Sequence, residues 1–435
     1  MTIFFQTISF KAFVFREAAM KFLSLSVTDK GLVRKNNEDS LLEMPEIGLF
    51  AIADGMGGEL CGEIASALAV ESLRDFVTEN RAVIDAFQMN SSPENRTQVL
   101  DMLADSLRNA NSKVFKEAEK REIDGKMGTT LTVLLVLDST GFMVHAGDSR
   151  LYMIRSSEIT QLSTDHTLLN DYRHQFGDYS GVFDEKFSGI LTKAVGIQEY
   201  VEPEKLTFAI LPEDKYILCS DGLYNGLEND VTSIKESFSG AFEDTQKEKE
   251  RMKEAMRTLT DIVYRNGAPD NVSMIMVSAF STDEEEVTGT REFVKKFDKI
   301  REIALFKDLD YRELLTVMAQ VEIRTYNKYD VISKMSASDR ELFIILDGKV
   351  SALKGAKLLK TFRSGDHIGD VAFLSGEMPS YNLFLDKTSS FLVIKKSAFD
   401  KIVAEEPSIG VKLLTQLATV LAKQANLAAG LIKEQ

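Results

Sequence analysis

The stretch Leu49–Gly58, LFAIADGMGG, is an apolar run that ends on an aspartate with glycines behind it. Two other segments use the same device. Lys215–Leu223, KYILCSDGL, ends its run on Asp221, and Gly267–Val277, GAPDNVSMIMV, sets Asp270 just ahead of a run. A carboxylate at a strand end is held rigidly, and a following glycine lets backbone carbonyls approach a ligand. Hard divalent cations take such oxygen ligands: carboxylates, carbonyls and water. Several carboxylates converging on one spot repel each other unless cations lie between them. One Asp-Gly pair alone is more often a plain turn, so the weight rests on the set.

Apolar β-rich runs appear at Leu49–Ala53, Leu131–Leu137, Phe142–His145, Leu151–Ile154, Tyr216–Cys219 and Val272–Ser278. Helical spacing marks Gly62–Val77, Arg96–Glu119 and Glu248–Asn266. Strands grouped with separate long helices predict an α+β layered fold. From Ser281 the charged segment STDEEEVTGTREFVKKFDKIREI reads as a linker feeding a helix. A second unit follows: a short helix with Phe306 and Leu309, then strands near Val321–Ile323, Leu342–Leu346, Ala352–Leu353, Leu358–Phe362 and Phe391–Ile394. Asp347-Gly348 reads as a hairpin turn. The long amphipathic helix Gly410–Ile432 closes the chain, with Val411, Leu414, Leu417, Val420 and Leu421 expected mostly in the core and a homodimer seam as the alternative. The resulting division is an extension over 1–19, a first domain over 20–281, a linker and helix over 282–305, and a second domain over 306–435.

Composition agrees with two globular cores: 435 residues, 44% of them hydrophobic. The 67 acidic against 52 basic residues give a net charge of -15, which argues against nucleic acid as a partner. Cys61 and Cys219 form neither a disulfide framework nor a zinc pattern, and two reduced, inert thiols place the chain in the cytoplasm. No apolar stretch reaches the roughly 18 residues of a membrane span. The N-terminus is apolar, but Lys11 and Arg16 interrupt it and no basic region precedes it, so it does not read as a signal peptide. An extension outside the domain and an amphipathic contact segment both remain open for 1–19.

The motifs TDKGLVRKNNEDS, LFAIADGMGG, GTTLTVLLV, HAGDSRLYMIR, LTKAVG, LCSDGL and GAPDNVSMIMV occur in that order over roughly residues 22–280. This ordered series resembles the PP2C-type (PPM) protein phosphatases in their bacterial form. The resemblance implies a sandwich of two antiparallel sheets flanked by helices, with a metal site at one end. It implies hydrolysis of phosphoserine and phosphothreonine in protein substrates of serine/threonine kinases, by a water activated between two Mn²⁺ or Mg²⁺ ions. Asp54 matches the ligand shared by both ions, Gly55 the residue offering a carbonyl, and Asp221 and Asp270 further ligands. Glu38 matches the acid that holds a metal-bound water, with Asp39 in support. Asp148 matches the ligand of a third, weaker ion. Arg34 matches the arginine that grips the phosphate; its planar fork suits two phosphate oxygens.

One position departs from the eukaryotic pattern. A histidine thought to protonate the leaving group follows the Asp-Gly there, and Met56 stands here. A metal-bound water near Asp148 is the expected substitute. His166, in STDHT, reads as structural and His145 as a core residue. Asn170–Gly189 resembles the flap beside the active site in bacterial relatives. Its aromatics, Tyr172, Phe176, Tyr179, Phe183 and Phe187, either contact substrate or pack on the domain.

The second unit resembles the cyclic-nucleotide-binding domains, through FKDLDYRELL, LFIILDGKV, RSGDHIGDVAFLSGEMPSYNLFL and the final helix. That implies a small β-roll with a C-terminal helix. Binders of cyclic nucleotides use a glutamate for the ribose and an arginine for the phosphate. Asp370 and Ser380 stand at those positions here, so cAMP or cGMP binding of the usual kind is not expected. His367 and Lys387 are the nearest substitutes, and both read as surface residues. The expectation is therefore an active phosphatase with a regulatory or interaction domain. The alternative is a catalytically silent scaffold, which the retained Asp54, Asp221 and Asp270 disfavour.

Overall fold

A computed structural model describes residues 20–57, 61–123, 127–156, 158–176, 189–281, 297, 299–328, 340–377 and 381–433. The chain divides into two compact units between Val287 and Thr288, inside the stretch read as a linker. Residues 1–19 lie outside the described residues.

The first unit is built on two antiparallel sheets. One sheet runs in the order β1 (Met20–Asp29), β11 (Val272–Ser281), β10 (Lys215–Cys219), β7 (Arg150–Arg155), β8 (Glu158–Gln161). The other runs β2 (Asp39–Met44), β3 (Leu49–Met56), β5 (Leu131–Leu137), β6 (Thr140–Ala146), β9 (Glu204–Ala209), with the short β4 (Gly128–Thr129) beside β3. Alternation explains how each strand serves two layers. Leu49, Ala51 and Ala53 pack into a core with α1 (Cys61–Glu79), α2 (Arg81–Met89) and α3 (Pro93–Lys120), while the buried Phe50 and Ile52 face the other way, into the sandwich. Short side chains on β3 and α1, among them Ala65 and Ala69, let helix and sheet approach closely.

On the opposite side, Leu25, Ile217, Met274 and Met276 pack against α5 (Asp221–Gly226), α6 (Val231–Phe238) and α7 (Thr245–Arg265). The caps follow local chemistry. Ser92 accepts from Asn95 N (3.2 Å) with Pro93 in the first turn of α3, and Asp244 accepts from Lys247 N (2.9 Å) to start α7. The helix α4 (Leu168–Phe176) lies in the segment read as a flap; Tyr179, Phe183 and Phe187, and the side chain of Phe176, lie outside the described residues. The sandwich flanked by helices is the fold expected from the sequence.

The second unit departs from expectation in several places. Phe306 and Leu309 sit in turns, and the helix α8 begins later, at Tyr311–Met318, because Asp310 and Glu313 form a capping box ahead of it. Asp347-Gly348 is not a hairpin turn. The strand before it, β13 (Glu341–Asp347), belongs to the sheet β12 (Glu322–Tyr326), β18 (Ser389–Lys395), β13, β16 (His367–Ile368); the strand after it, β14 (Lys349–Lys354), belongs to the sheet β15 (Lys357–Arg363), β14, β17 (Asn382–Leu385). The pair is the corner where the chain changes sheets. Gly348 has φ +147°, and a Cβ there would lie 2.3 Å from Ser389 Oγ. The final helix, α11 (Pro407–Lys433), follows α9 (Asp370–Ser375) and α10 (Lys396–Glu405). It buries Leu417 as expected, but with Leu413 and Gln416 rather than with Val411 and Leu414, which are 64% and 40% exposed, while Val420 and Leu421 are half-buried. Phe297, Ile300 and Ile303 are buried, and Phe297 meets Tyr311 at 5.1 Å, so the second unit starts before residue 306.

One buried charge pair ties β10 to α7. Lys215 Nζ lies 3.1 Å from Glu248 Oε1 as an ion pair, with both side chains almost wholly buried; Ser278 Oγ and Arg251 Nη1 donate the hydrogen bonds to Glu248 (2.7 Å each). Removing one partner strands the other charge in the core. Glu248→Ala is expected to destabilise the first unit by about 3–5 kcal/mol, read as a lower urea midpoint by circular dichroism, while a paired Lys215→Met/Glu248→Leu replacement costs far less.

Candidate active site

The loop before β2 carries two of the expected residues, and a second loop holds it in place. Asn271 accepts from Glu38 N (2.9 Å) and donates to Lys30 O (3.0 Å) and Asn36 O (2.9 Å). Gly31 (φ +71°) sits so close that a Cβ there would lie 2.1 Å from Asp270 O. Arg34, on this loop, places Nη2 2.6 Å from Asp270 Oδ2 and leaves half its side chain in solvent. Gly55, at the end of β3, donates to Glu38 O (3.1 Å). A Cβ on Gly62, at the start of α1, would lie 2.2 Å from Glu38 Oε2, so that helix start is tailored to the glutamate.

The carboxylates arrive from both sheets. Asp54 ends β3, and its backbone is clamped by Thr130: Asp54 N donates to Thr130 Oγ1 (2.8 Å) and Thr130 N donates to Asp54 O (2.9 Å). Asp148 follows Gly147 in the link from β6 to β7, Asp221 opens α5 directly after β10, and Asp270 precedes β11. Asp39 lies beneath them. Ser220 Oγ donates to its Oδ2 (2.8 Å), while its buried Oδ1 has no hydrogen-bond partner.

Crowding shows in the protonation of these groups. Burial, then repulsion from Asp39, Asp221, Asp148 and Asp270, holds the Asp54 carboxyl well above its ordinary range. Burial pushes Asp39 up to about 7, against hydrogen bonds from Ser273 and Ser220. Burial and then Asp221 push Asp148 to about 7. Asp221 is raised by burial and by Asp270, and lies within hydrogen-bond reach of Asp54. Glu38 is raised by burial, against the pull of Arg34.

Arg34, Glu38, Asp54, Gly55, Asp148, Asp221 and Asp270 all line one cleft of about 790 Å³, with Met56 among them. Asp39 stays behind its floor. Among the described residues no group of three or more His, Cys, Asp and Glu side chains is arranged to hold an ion by itself. The donor set instead suits cations that keep several waters and take one or two carboxylates each. A crowded, mutually repelling carboxylate cluster, with the buried Oδ1 of Asp39 lacking a hydrogen-bond partner, fits such cations.

These motifs and their placement fit one family, and residues 33–261 match the description "Protein phosphatase 2C". The chain belongs to the protein phosphatase 2C family. Residues 323–406 match the cyclic nucleotide-binding domain. Serine/threonine protein phosphatase PstP of Mycobacterium tuberculosis is 30% identical over 262 residues, 59% of this chain and 45% of that protein; the chain thus spans about half of that relative. Protein phosphatase PhpP of Streptococcus pneumoniae is 28% identical over 60% of this chain and 98% of its own. A crystal structure of the PstP catalytic domain with two manganese ions is 28% identical, covers 60% of this chain and 100% of its own, and superposes with a TM-score of 0.49.

The phosphatase 2C unit also contains residues that sequence reasoning left out. Asn271 and Thr130 stand inside the quoted motifs GAPDN and GTT; Asn271 holds the Glu38 backbone and Thr130 the Asp54 backbone. Tyr224 donates to Asp148 O (3.1 Å), and Arg150 lies over its ring at 3.5 Å while bonding Asp165 (2.7 Å). His145 is a satisfied core residue, bonded to Thr132 Oγ1 (2.9 Å) and Gly147 O (3.0 Å). His166 stacks on it at 4.9 Å and accepts from Gly147 N (3.2 Å). Cys219 is buried and its thiol is pushed up to about 12 by burial, so it is inert.

The raised carboxyls imply a pH dependence of stability. Asp39 and Asp148 move from an ordinary 3.8 to about 7, so between those values the folded protein binds more protons than the unfolded one. Stability of the chelator-treated protein therefore falls as pH rises from about 4 to about 7. A lower melting temperature in EDTA at pH 7.5 than at pH 5.5, with the gap narrowed by Mn²⁺, is the expected result.

Proposed function

We propose that this chain is a metal-dependent protein serine/threonine phosphatase, hydrolysing phosphoserine and phosphothreonine, with a C-terminal domain that regulates or docks it. The observation that carries the reading is the convergence of five carboxylates and one half-exposed arginine on a single cleft. Asp54, Asp221, Asp270 and the Gly55 carbonyl are the residues to hold two divalent cations, Mn²⁺ or Mg²⁺. Glu38 would orient a water there, and Asp148 would hold a third ion. Such cations would supply a nucleophilic water at neutral pH and positive charge against the phosphoryl oxygens.

The chain's own residues do the rest. Arg34 offers its fork to two phosphate oxygens and exchanges its Asp270 partner for the substrate. Thr130 and Asn271 keep Asp54 and Glu38 from moving as charge accumulates. Met56 lines the cleft but has no proton to donate, so this side chain is not the acid for the leaving oxygen.

The C-terminal domain is proposed not to take cAMP or cGMP in the usual way. Asp370 is buried and accepts from Val371 N (3.0 Å), and the buried His367 ring stands against it with Nδ1 3.5 Å away, where a glutamate would meet a ribose. His367 is buried, not at the surface as its sequence context indicated, whereas Lys387 is exposed and paired with Asp347 at 3.1 Å. Ser380 lies outside the described residues. A partner or a second copy of the chain, met through the exposed Val411 and Leu414, is the reading offered instead.

The test is hydrolysis of p-nitrophenyl phosphate and a phosphothreonine peptide with and without Mn²⁺. Wild type is expected to turn over only with metal, Asp54→Asn not at all. Arg34→Ala should lose about a hundredfold in kcat/KM, the usual effect of removing one oxyanion donor. A folded wild type that is silent with every metal would sink the proposal. Titration with cAMP is expected to leave the melting temperature unchanged.

A further inference from the structure

The cleft has a second wall that the chemistry does not use. It is formed by residues 189–202, and α3 holds it from behind with three residues spaced along one face. Asn111, fully buried, accepts from Gly196 N (2.7 Å) and donates to Gln198 O and Glu199 O (3.0 Å each). Val114 lies against Gly196 (φ +89°), where a Cβ would come within 2.3 Å of it. Arg108 forks onto Glu202, with Nη2 2.9 Å from each carboxylate oxygen, and its Nη1 bonds Asp105 (2.7 Å). Glu202 in turn accepts from the Tyr200 hydroxyl.

The product of these ties is an unusual side chain. Tyr200 is 62% exposed, yet its hydroxyl is anchored and its backbone lies on a pinned wall. An exposed aromatic ordinarily keeps its rotamer freedom, whereas this one is held in place at the cleft that contains Asp54 and Arg34. An ordered, solvent-facing aromatic beside a reaction centre loses little entropy on binding a partner group. Charge says what that group is. The wall carries Glu199 and Glu202 against one lysine, Lys193, and the arginine behind it, Arg108, is shared by Glu202 and the half-exposed Asp105, so these groups together are net negative. The cations proposed for the inner carboxylates would not cancel this outer charge. A guanidinium or ammonium on the ring of Tyr200 gains from the ring's electron-rich face and from the acidic rim together.

We propose that Tyr200 is a specificity-determining residue that receives an arginine or lysine side chain flanking the phosphorylated residue of the substrate. Glu202 and Arg108 are positioning residues for it. The inference rests on the phosphatase reading and deepens it: substrates are basic phosphopeptides.

The test uses the full chain with Mn²⁺ and phosphothreonine peptides of otherwise alanine-rich sequence. A single arginine replaces alanine at each of the four positions on either side, and leucine is placed there in a parallel series. Wild type should show kcat/KM raised about threefold to thirtyfold by arginine, and not by leucine, at one or two adjacent positions. That ratio should fall to about one in Tyr200→Ala and persist in Tyr200→Phe, which keeps the ring. It should shrink in Arg108→Ala, where the clamp is loosened. Equal turnover of all peptides by wild type, an equal gain from leucine, or a gain that survives Tyr200→Ala would overturn the inference and leave the phosphatase reading standing. Turnover of no peptide by wild type would overturn that reading and the inference with it.

Discussion

Asp54 stands among Asp39, Asp148, Asp221 and Asp270, and their mutual repulsion is the constraint the surrounding structure answers. Left to itself, such a cluster would move apart or stay protonated. The fold prevents the first. Each carboxylate is fixed at or beside the end of a strand, and the strands belong to two sheets locked by a shared sandwich core. Raising a buried carboxyl such as Asp39 from 3.8 to about 7 sets a cost on the order of 4 kcal/mol for ionising it without cations. The protein therefore stores a demand for positive charge, and Arg34 on Asp270 meets only part of it.

Close backbone approach is the second requirement. Gly31, Gly55 and Gly62 sit where any Cβ would collide with Asp270, with the carbonyls of Glu38 and Gly62, or with the Glu38 carboxylate. The loop bearing Arg34 and Glu38 can lie against the loop bearing Asp270 only because these positions carry no side chain. Asn271 then bridges the two loops, so that Arg34 and the acids Glu38 and Asp270 are held together and not on two independent segments.

Much of this was legible in the sequence because it is local. Apolar runs ending on Asp54 and Asp221, and one beginning after Asp270, place carboxylates at strand ends by the strands' own register. Other features depend on tertiary context. The Asp347-Gly348 pair has hairpin chemistry, but the partner of β13 is β18 and not β14, and only the packed roll decides that. The stripe Val411, Leu414 and Leu417 has helical spacing, yet the buried face is set by where α11 meets its neighbours, which keeps Leu417 inward, brings Leu413 in beside it and turns Val411 and Leu414 outward. The wall holding Tyr200 showed only as the motif LTKAVG, and Tyr200 itself not at all, because the pins Arg108, Asn111 and Val114 lie some 90 residues away along the chain. Two of them are polar residues in a helix whose pattern reads only as amphipathic.

A carboxylate cluster that serves as a cation site is held partly protonated until cations arrive. Isothermal titration of Mn²⁺ into chelator-treated protein at pH 6.5, repeated in buffers of different ionisation enthalpy, tests it most directly. Binding of at least two ions with release of protons, and loss of both effects in Asp54→Asn, is the predicted result. Absence of binding, or binding that releases no protons and is unchanged in Asp54→Asn, would contradict it.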